Sequence, residues 1–178
     1  MKNWKLCAAC LVPLLAIACS GNSTDDPFGG AGQGAVTIQV YDVPVSNLQA
    51  ADLQFTEVWV HASGGDWILV GDVDITVDLM AHVGPANAVT IASGSVAPGT
   101  YDAIRFTVTA ATLTVEGEPE PVELPLPAEG VTAVVQHAFT VAEGGSVEVE
   151  MHLNPATSFQ VSGTGYTFIP TVDEVASH

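Results

Sequence analysis

From Ala35 onward, the chain is a series of short runs in which apolar and polar residues alternate, a spacing that favours β-strands. Clusters of glycine, proline, asparagine and serine separate these runs, and no amphipathic stretch of helical length interrupts them. Between Asp72 and Leu79, for example, aliphatic residues alternate with acids and threonine, so one face should join a core while the other is solvated. The pattern predicts an all-β domain, a single Greek-key sandwich of about seven to nine antiparallel strands.

The strand boundaries follow from the same runs. The domain is predicted over residues 35–174, with a short tail at 175–178, and a bulge is expected near Thr56 and Glu57, where the inward set changes frame. The strands are expected at residues 36–40, 53–61, 66–70, 72–79, 88–92, 101–110, 112–116, 131–141, 146–153 and 166–172. The runs 131–141 and 146–153 are expected to form a hairpin. The inward residues are predicted to include Val58, Val60, Ile75, Val77, Ile104, Phe106, Val147 and Val149.

Residues 1–18 have the layout of a bacterial export signal. Lys2 and Lys5 precede an apolar run that is too short to span a bilayer as a helix. The run ends in Leu-Ala-Ile-Ala-Cys, residues 15–19, which resembles the lipobox that the lipoprotein signal peptidase recognises. We therefore predict cleavage before Cys19 and lipidation of Cys19. The alternative is an ordinary secretory signal that leaves Cys19 as a free thiol.

Residues 19–34 are polar and rich in glycine, and they are expected to form a flexible tether because they cannot bury enough apolar surface to fold. A tether directly after a lipidated cysteine is what an anchored domain requires. Cys7 and Cys10 lie inside the predicted signal, so the processed chain would contain no disulfide. Its stability would then come from core packing.

The chain is strongly acidic, with 20 Asp and Glu residues against three Lys and Arg and a net charge of −17. Removing the predicted signal takes away Lys2 and Lys5 and leaves Arg105 as the one cation against 20 acids, a net charge of −19. Nucleic-acid binding and electrostatic attraction to anionic lipid both require basic patches. The charge therefore excludes nucleic acid as a partner, and membrane attachment is predicted to be covalent.

Asp72, Asp74, Thr76 and Asp78 are spaced two residues apart, which would place them on one face of a strand. The three carboxylates are candidate ligands for Ca²⁺, provided that further oxygens join them. Residues two apart on a strand are separated by roughly 6 to 7 Å, so they cannot all reach one ion without a bend. We therefore favour a solvated acidic face and expect neither a metal nor another cofactor.

Trp59 and Trp67 lie on either side of a Gly-Gly turn, and we expect at least one of them to pack in the core beside that turn. The alternative is that the two form an aromatic platform on which sugar rings stack. Arg105 is expected to share a strand face with Tyr101 and to pair with one of the many acids as a structural ion pair.

The sequence gives no support to catalysis. It contains no Gly-x-Ser-x-Gly motif, and its five histidines show neither H-x-H nor H-x-x-x-H spacing. A pair of carboxylates for glycosidase chemistry can be found anywhere among 20 acids, so such a pair carries no information. We therefore expect a protein that is not an enzyme.

The order of several short segments resembles domain-of-unknown-function family 4382 over roughly residues 36–172. The segments are VTIQVYDVPV (36–45), VWVH (58–61), GGDW (64–67), VDLM (77–80), APGTYDAIRF (97–106), FTVAEGG (139–145) and FIP (168–170). The resemblance implies a prokaryotic exported protein, often a lipoprotein, whose fold is similar to the transthyretin and carboxypeptidase-regulatory sandwiches. It agrees with an immunoglobulin/transthyretin-like sandwich and carries over no catalytic residues. Members often carry an acidic Asp-Phe-Asp segment where this chain has His152-Leu153-Asn154, which weighs against a cation site there.

Together these features predict a membrane-tethered, non-enzymatic lipoprotein that acts as a structural or interaction module. By analogy with enteric bacteria, Ser20 after the cysteine favours the outer membrane, facing the periplasm or the cell surface. The partner would be an envelope or surface protein or a glycan. The alternative is a module that binds carbohydrate or calcium, and an exported enzyme ranks third.

Overall fold

The alternating runs form eleven strands in the computed structural model, which describes residues 32–163 and 165–178. The predicted signal, Cys19 and the tether up to residue 31 lie outside the described residues. The strands are β1 Gly34–Tyr41, β2 Leu48–Ala62, β3 Trp67–Asp78, β4 Val89–Val96, β5 Gly99–Val115, β6 Val122–Glu123, β7 Val131–Val141, β8 Ser146–Leu153, β9 Phe159–Ser162, β10 Gly165–Phe168 and β11 Val172–Ser177. The helical elements are the 3₁₀ turns Leu79–Ala81 and Pro85–Asn87 and the single-turn helix α1 Pro155–Ser158. No helix in the described residues is long and apolar enough to cross a membrane.

Two sheets carry most of the fold. The first sheet has the order β11-β8-β1-β4, and the second has the order β3-β2-β5, with both β6 and β7 paired to the far side of β5. Strands β9 and β10 form a small separate hairpin. The all-β prediction is therefore confirmed, but the count of eleven strands exceeds the predicted seven to nine. Seven of the eight pairings between the described strands are antiparallel, as predicted, whereas β1 and β8 run parallel.

The predicted hairpin of residues 131–141 and 146–153 does not form, although both strands have the predicted bounds. β7 pairs with β5 in one sheet, whereas β8 pairs with β1 and β11 in the other. The short connection, in which Gly144 has a φ of 64°, therefore crosses between the sheets. A short glycine-containing turn can close a hairpin within one sheet or connect two sheets, and it has the same composition in both cases. The sequence pattern therefore did not distinguish a hairpin from a sheet change.

Other strand boundaries differ from the predicted ones because breaks in the alternation are bulges within longer strands and not strand ends. The runs 66–70 and 72–79 join into β3, and the runs 101–110 and 112–116 join into β5. The run 166–172 instead divides into the end of β10 and the start of β11. β11 continues through residue 177, so most of the predicted tail at 175–178 belongs to a strand.

The two sheets enclose one hydrophobic core. Six of the eight residues predicted to point inward are fully or almost fully buried, and Ile75 and Val147 are half-buried and pack against the same cluster. Phe55 and Phe106 meet within it, with ring centroids 5.8 Å apart. Beside the core, β3 and β4 approach each other closely at Gly94. A Cβ atom at this position would lie 2.5 Å from the carbonyl oxygen of Val70, so the close approach requires a residue without a side chain.

Register shifts in β2, β3 and β5 determine which residues face the core. The predicted bulge near Thr56 is confirmed by a shift between Phe55 and Glu57. A further shift between Tyr101 and Ala103 turns Tyr101 inward, where it stacks on Phe139 with ring centroids 5.2 Å apart. The expectation that Tyr101 shares a face with Arg105 was therefore wrong.

Truncation of Phe106 tests this core assignment. Phe106→Ala should lower the free energy of unfolding by about 3 to 5 kcal/mol, because it leaves a cavity between the sheets. Val134→Ala is the control, since Val134 is exposed on the neighbouring strand and its truncation should cost less than about 0.5 kcal/mol. Urea unfolding measures both values, and equal costs for the two variants would contradict the assignment.

Candidate functional site

A row of four side chains crosses the outer surface of the β3-β2-β5-β7 sheet. Leu69 of β3 is opposite Trp59 of β2, Trp59 is opposite Arg105 of β5, and Arg105 is opposite Val134 of β7. Neighbouring strands lie about 4.8 Å apart, so the row is about 14 Å long. Leu69 is 41% exposed and Val134 is 52% exposed, which leaves aliphatic surface at both ends of the row.

A second row lies beside the first, two residues along each strand. It contains Trp67, His61, Ala103 and Gln136, which are also opposite one another in register. Ala103 is only 2% exposed although it is not part of the core cluster, which indicates that the larger side chains around it cover it from outside. We call these two rows of four residues the Trp–Arg face.

Arg105 is held at the centre of this face by aromatic rings. Its guanidinium carbon lies 4.8 Å from the ring centroid of Trp59 and 4.7 Å from that of Trp67. Within the described part of the chain, the guanidinium forms neither an ion pair nor a side-chain hydrogen bond. The expected structural ion pair was therefore wrong, and cation–π contacts take its place, worth about 0.5 to 2 kcal/mol each.

Neither candidate tryptophan belongs to the hydrophobic core, so the expectation that at least one of them packs there was wrong. Both are half-buried. The indole N–H of Trp59 donates to Glu57 at 3.3 Å, and the ring of Trp67 contacts that of His61 with centroids 5.0 Å apart. The fold thus brings Trp59 and Trp67 together around one cation.

His61 and Asp102 form an ion-pair geometry at the margin of the face. The Nδ1 atom of His61 lies 2.6 Å from a carboxylate oxygen of Asp102. In a catalytic triad the imidazole would also meet a hydroxyl or thiol. Among residues 32–163 and 165–178, no such side chain hydrogen-bonds to His61, so the pair fixes the imidazole beside Trp67 and lacks a nucleophile.

Acids border the Trp–Arg face. Glu57 precedes Trp59 by two residues on the same side of β2, and Asp72 is opposite Glu57 on β3. Asp66 is exposed next to Trp67.

A cleft adjoins the Trp–Arg face at the end of the sheet. Trp67 forms one wall of this cleft, which has a volume of about 460 Å³. Its other walls are mainly apolar residues of the 62–68 and 97–101 segments.

The structure separates the three candidate calcium ligands. Asp74 accepts a hydrogen bond from the Gln54 amide at 2.6 Å, and Asp72 is exposed near the Trp–Arg face. Asp78 accepts the backbone N–H groups of Ala51 and Met80, both at 3.0 Å, and thereby caps a 3₁₀ turn. No group of three or more His, Cys, Asp or Glu residues suited to hold a metal occurs in the described residues.

Asp42 is a buried carboxyl that the sequence analysis did not single out. It follows β1, is 1% exposed, and one of its oxygens has no hydrogen-bond partner. Burial raises the pKa of Asp42 to about 7, the Val43 N–H bond opposes this rise, and the charge of Asp78 adds to it. No local pattern signals this burial, because it results from the 82–84 segment closing over the strand end.

Sequence reasoning missed the apolar ends of the Trp–Arg face as well. Leu69 and Val134 each sit beside another aliphatic residue, so alternation alone does not say which of the two faces outward. His61 and Asp102 lie 41 residues apart and meet only through the β2–β5 pairing.

Comparisons with known proteins give a family but no described activity. A family described as "Domain of unknown function (DUF4382)" matches residues 33–170. No curated protein matches the chain. A leucine-rich repeat protein from Bacteroides thetaiotaomicron VPI-5482, known from a crystal structure, is 16% identical with a TM-score of 0.23, and the match covers 70% of this chain. That match spans 14% of the length of the leucine-rich repeat protein.

The raised pKa of Asp42 predicts a specific pH dependence of stability. Between the unfolded pKa of 3.8 and about 7, the native state holds a proton that the unfolded state has lost, so stability falls as the pH rises through this range. Asp42→Asn removes the titration and should gain stability over the wild type by about 2 to 3 kcal/mol more at pH 8 than at pH 5. Urea unfolding at both pH values measures the difference, with Asp74→Asn as the exposed control. An equal effect of Asp42→Asn at pH 5 and pH 8 would show that Asp42 titrates normally.

Proposed function

The chain belongs to the family described as a domain of unknown function (DUF4382), and on that premise we propose that it is a membrane-tethered, non-enzymatic binding module. In this proposal a lipid on Cys19 anchors the chain, and the Trp–Arg face binds a component of the envelope or cell surface.

The observation that carries the proposal is the contact of Arg105 with two tryptophans outside the core. Tryptophan and arginine are the residues most enriched at the energetic centres of interfaces, where a polar rim commonly surrounds them. Here Leu69 and Val134 extend the apolar surface, and acids lie at the border. Core packing does not require these residues, since neither tryptophan belongs to the core cluster, and this favours a role in binding.

The anchor is supported by residues 1–19 and by the position of β1. β1 begins at Gly34, which leaves residues 19–33 between the proposed lipid and the domain. At about 3.5 Å per residue, these residues reach at most about 50 Å. That reach would let the Trp–Arg face approach partners in the envelope while the domain stays attached. Ser20 favours the outer membrane, with the domain facing the periplasm or the cell surface.

Replacement of the proposed lipid site tests the anchor. Cys19→Ser should move the protein from the membrane fraction to the soluble fraction, because the remaining chain is too acidic to bind anionic lipid by charge. Fractionation followed by mass spectrometry of the N-terminal peptide measures this, and Cys10→Ser is the matched control. A Cys19→Ser protein that stays in the membrane fraction, together with a wild-type peptide that carries no lipid, would disprove the anchor.

Photo-crosslinking in intact envelopes tests the binding face without assuming what binds. A benzophenone amino acid replaces Val134, at the exposed end of the first row, and separately Ser95, which is exposed on β4 of the other sheet. Benzophenone inserts into C–H bonds of proteins and glycans alike. Irradiation should give adducts of higher mass from position 134 and far fewer from position 95. Equal yields at both positions, or none at 134, would exclude the Trp–Arg face as the binding surface.

A further inference from the structure

We propose that the Trp–Arg face recognises a largely neutral oligosaccharide that carries one isolated carboxylate, such as a single uronic acid residue. This inference rests on the proposed function, since it names the ligand of the same face.

The carboxylate is inferred from the state of Arg105. It is the one cation outside the predicted signal, and it forms no ion pair with any acid in the described residues. Acids are nevertheless present nearby, with Asp102 on the same strand, Glu57 on the neighbouring strand β2 and Asp66 directly before Trp67. A guanidinium presents its N–H donors in a planar fork that matches a carboxylate in bidentate geometry. Stacking on two indoles restricts the side chain before the ligand arrives, so less conformational entropy is lost on binding.

The sugar is inferred from the groups around the arginine. Both indoles are half-buried, and the part of each ring that the guanidinium leaves uncovered carries negative charge density that attracts the weakly positive C–H groups of a pyranose. Around the indoles lie side chains that accept or exchange hydrogen bonds with hydroxyls, including Glu57, Asp102, His61 and Gln136. A border rich in acceptors suits a ligand rich in hydroxyl donors.

The single charge is inferred from the acids at the border. A polymer with a carboxylate on every sugar would place further negative charges against Glu57, Asp66 and Asp72, and the domain as a whole is strongly negative. Charges within the Debye length of about 8 Å at physiological salt repel one another appreciably. A glycan whose carboxylate is isolated meets Arg105 without this repulsion.

Other partners fit the face less well. Trp59 and Arg105 lie on β2 and β5, interior strands whose backbones are paired on both sides. A peptide could add as a strand only at the outer edges of β3 or β7, away from Arg105. An anionic bilayer would be repelled by the same acids that border Arg105. A protein partner would appear as an adduct of protein mass in the crosslinking experiment.

Intrinsic fluorescence provides a direct test. The sequence contains three tryptophans, so the full chain with Trp4→Phe retains only Trp59 and Trp67, and all its tryptophan emission comes from the Trp–Arg face. The probes are trisaccharides of two neutral hexoses with a terminal glucuronic, galacturonic or mannuronic acid. Each is paired with the same trisaccharide in which the carboxyl is reduced to the alcohol, and polygalacturonate serves as the densely charged probe.

At least one acidic trisaccharide should produce a saturable change in emission and bind at least tenfold more tightly than its reduced partner. Polygalacturonate should bind more weakly at low salt than that trisaccharide. Arg105→Met should reduce the affinity for the acidic probe to that of the reduced probe, and Arg105→Lys should retain an intermediate affinity because it keeps the charge without the fork. Circular dichroism and melting establish that both arginine variants are folded. Gln136→Ala is a further variant that leaves Arg105 and both indoles unchanged. It should weaken the binding of the acidic and the reduced probe alike.

Equal binding of acidic and reduced probes, tighter binding of polygalacturonate at low salt, or no binding of any probe would overturn the inference. If adducts still form at position 134, the proposed binding face survives that result and only the glycan is wrong. If adducts at position 134 are also absent, both the glycan inference and the proposed function fail.

Discussion

The outer surface of this domain depends on breaks in register in three neighbouring strands. A one-residue slip in a strand reverses the face of every side chain beyond it. In β3 the slip lies between Leu69 and Asp72. Trp67 and Leu69 therefore face outward at one end of the strand. At the other end the aliphatic side chains pack toward the core, namely those of Val73, Ile75 and Val77. The shift at residues 101–103 of β5 likewise puts Tyr101 in the core and leaves Arg105 outside. Without the slip in β3, Trp67 and Leu69 would lie on the same side of that strand as Val73, Ile75 and Val77.

The environment of Arg105 follows from the relative strength of two surface interactions. An exposed ion pair contributes about 0 to 1 kcal/mol because water screens it and two long side chains must be ordered. Stacking on an indole contributes a similar or larger amount without occupying the N–H groups. In a chain with 20 acids, the aromatic contacts therefore allow the arginine to remain available to an anion from outside.

The sequence predicted those features that arise from local periodicity. The inward positions Val58, Val60, Ile104 and Phe106 followed from alternation, as did the bulge near Thr56. Features that depend on which distant strands meet were beyond its reach. The parallel pairing of β1 with β8, the sheet change between β7 and β8, and the contact of Arg105 with both tryptophans all require knowledge of long-range register. The burial of Asp42 also depends on a distant segment.

The parallel pairing of β1 with β8 has a mechanical consequence. β1 lies in the interior of its sheet, bonded along its length to β8 on one side and β4 on the other. A load applied along β1 from its N-terminal end therefore stresses both ladders of hydrogen bonds in shear, so they must rupture together. Peeling apart one bond at a time would require the load to act across the strand. With the anchor proposed above, tension that enters through β1 would load the domain in shear and not in peeling.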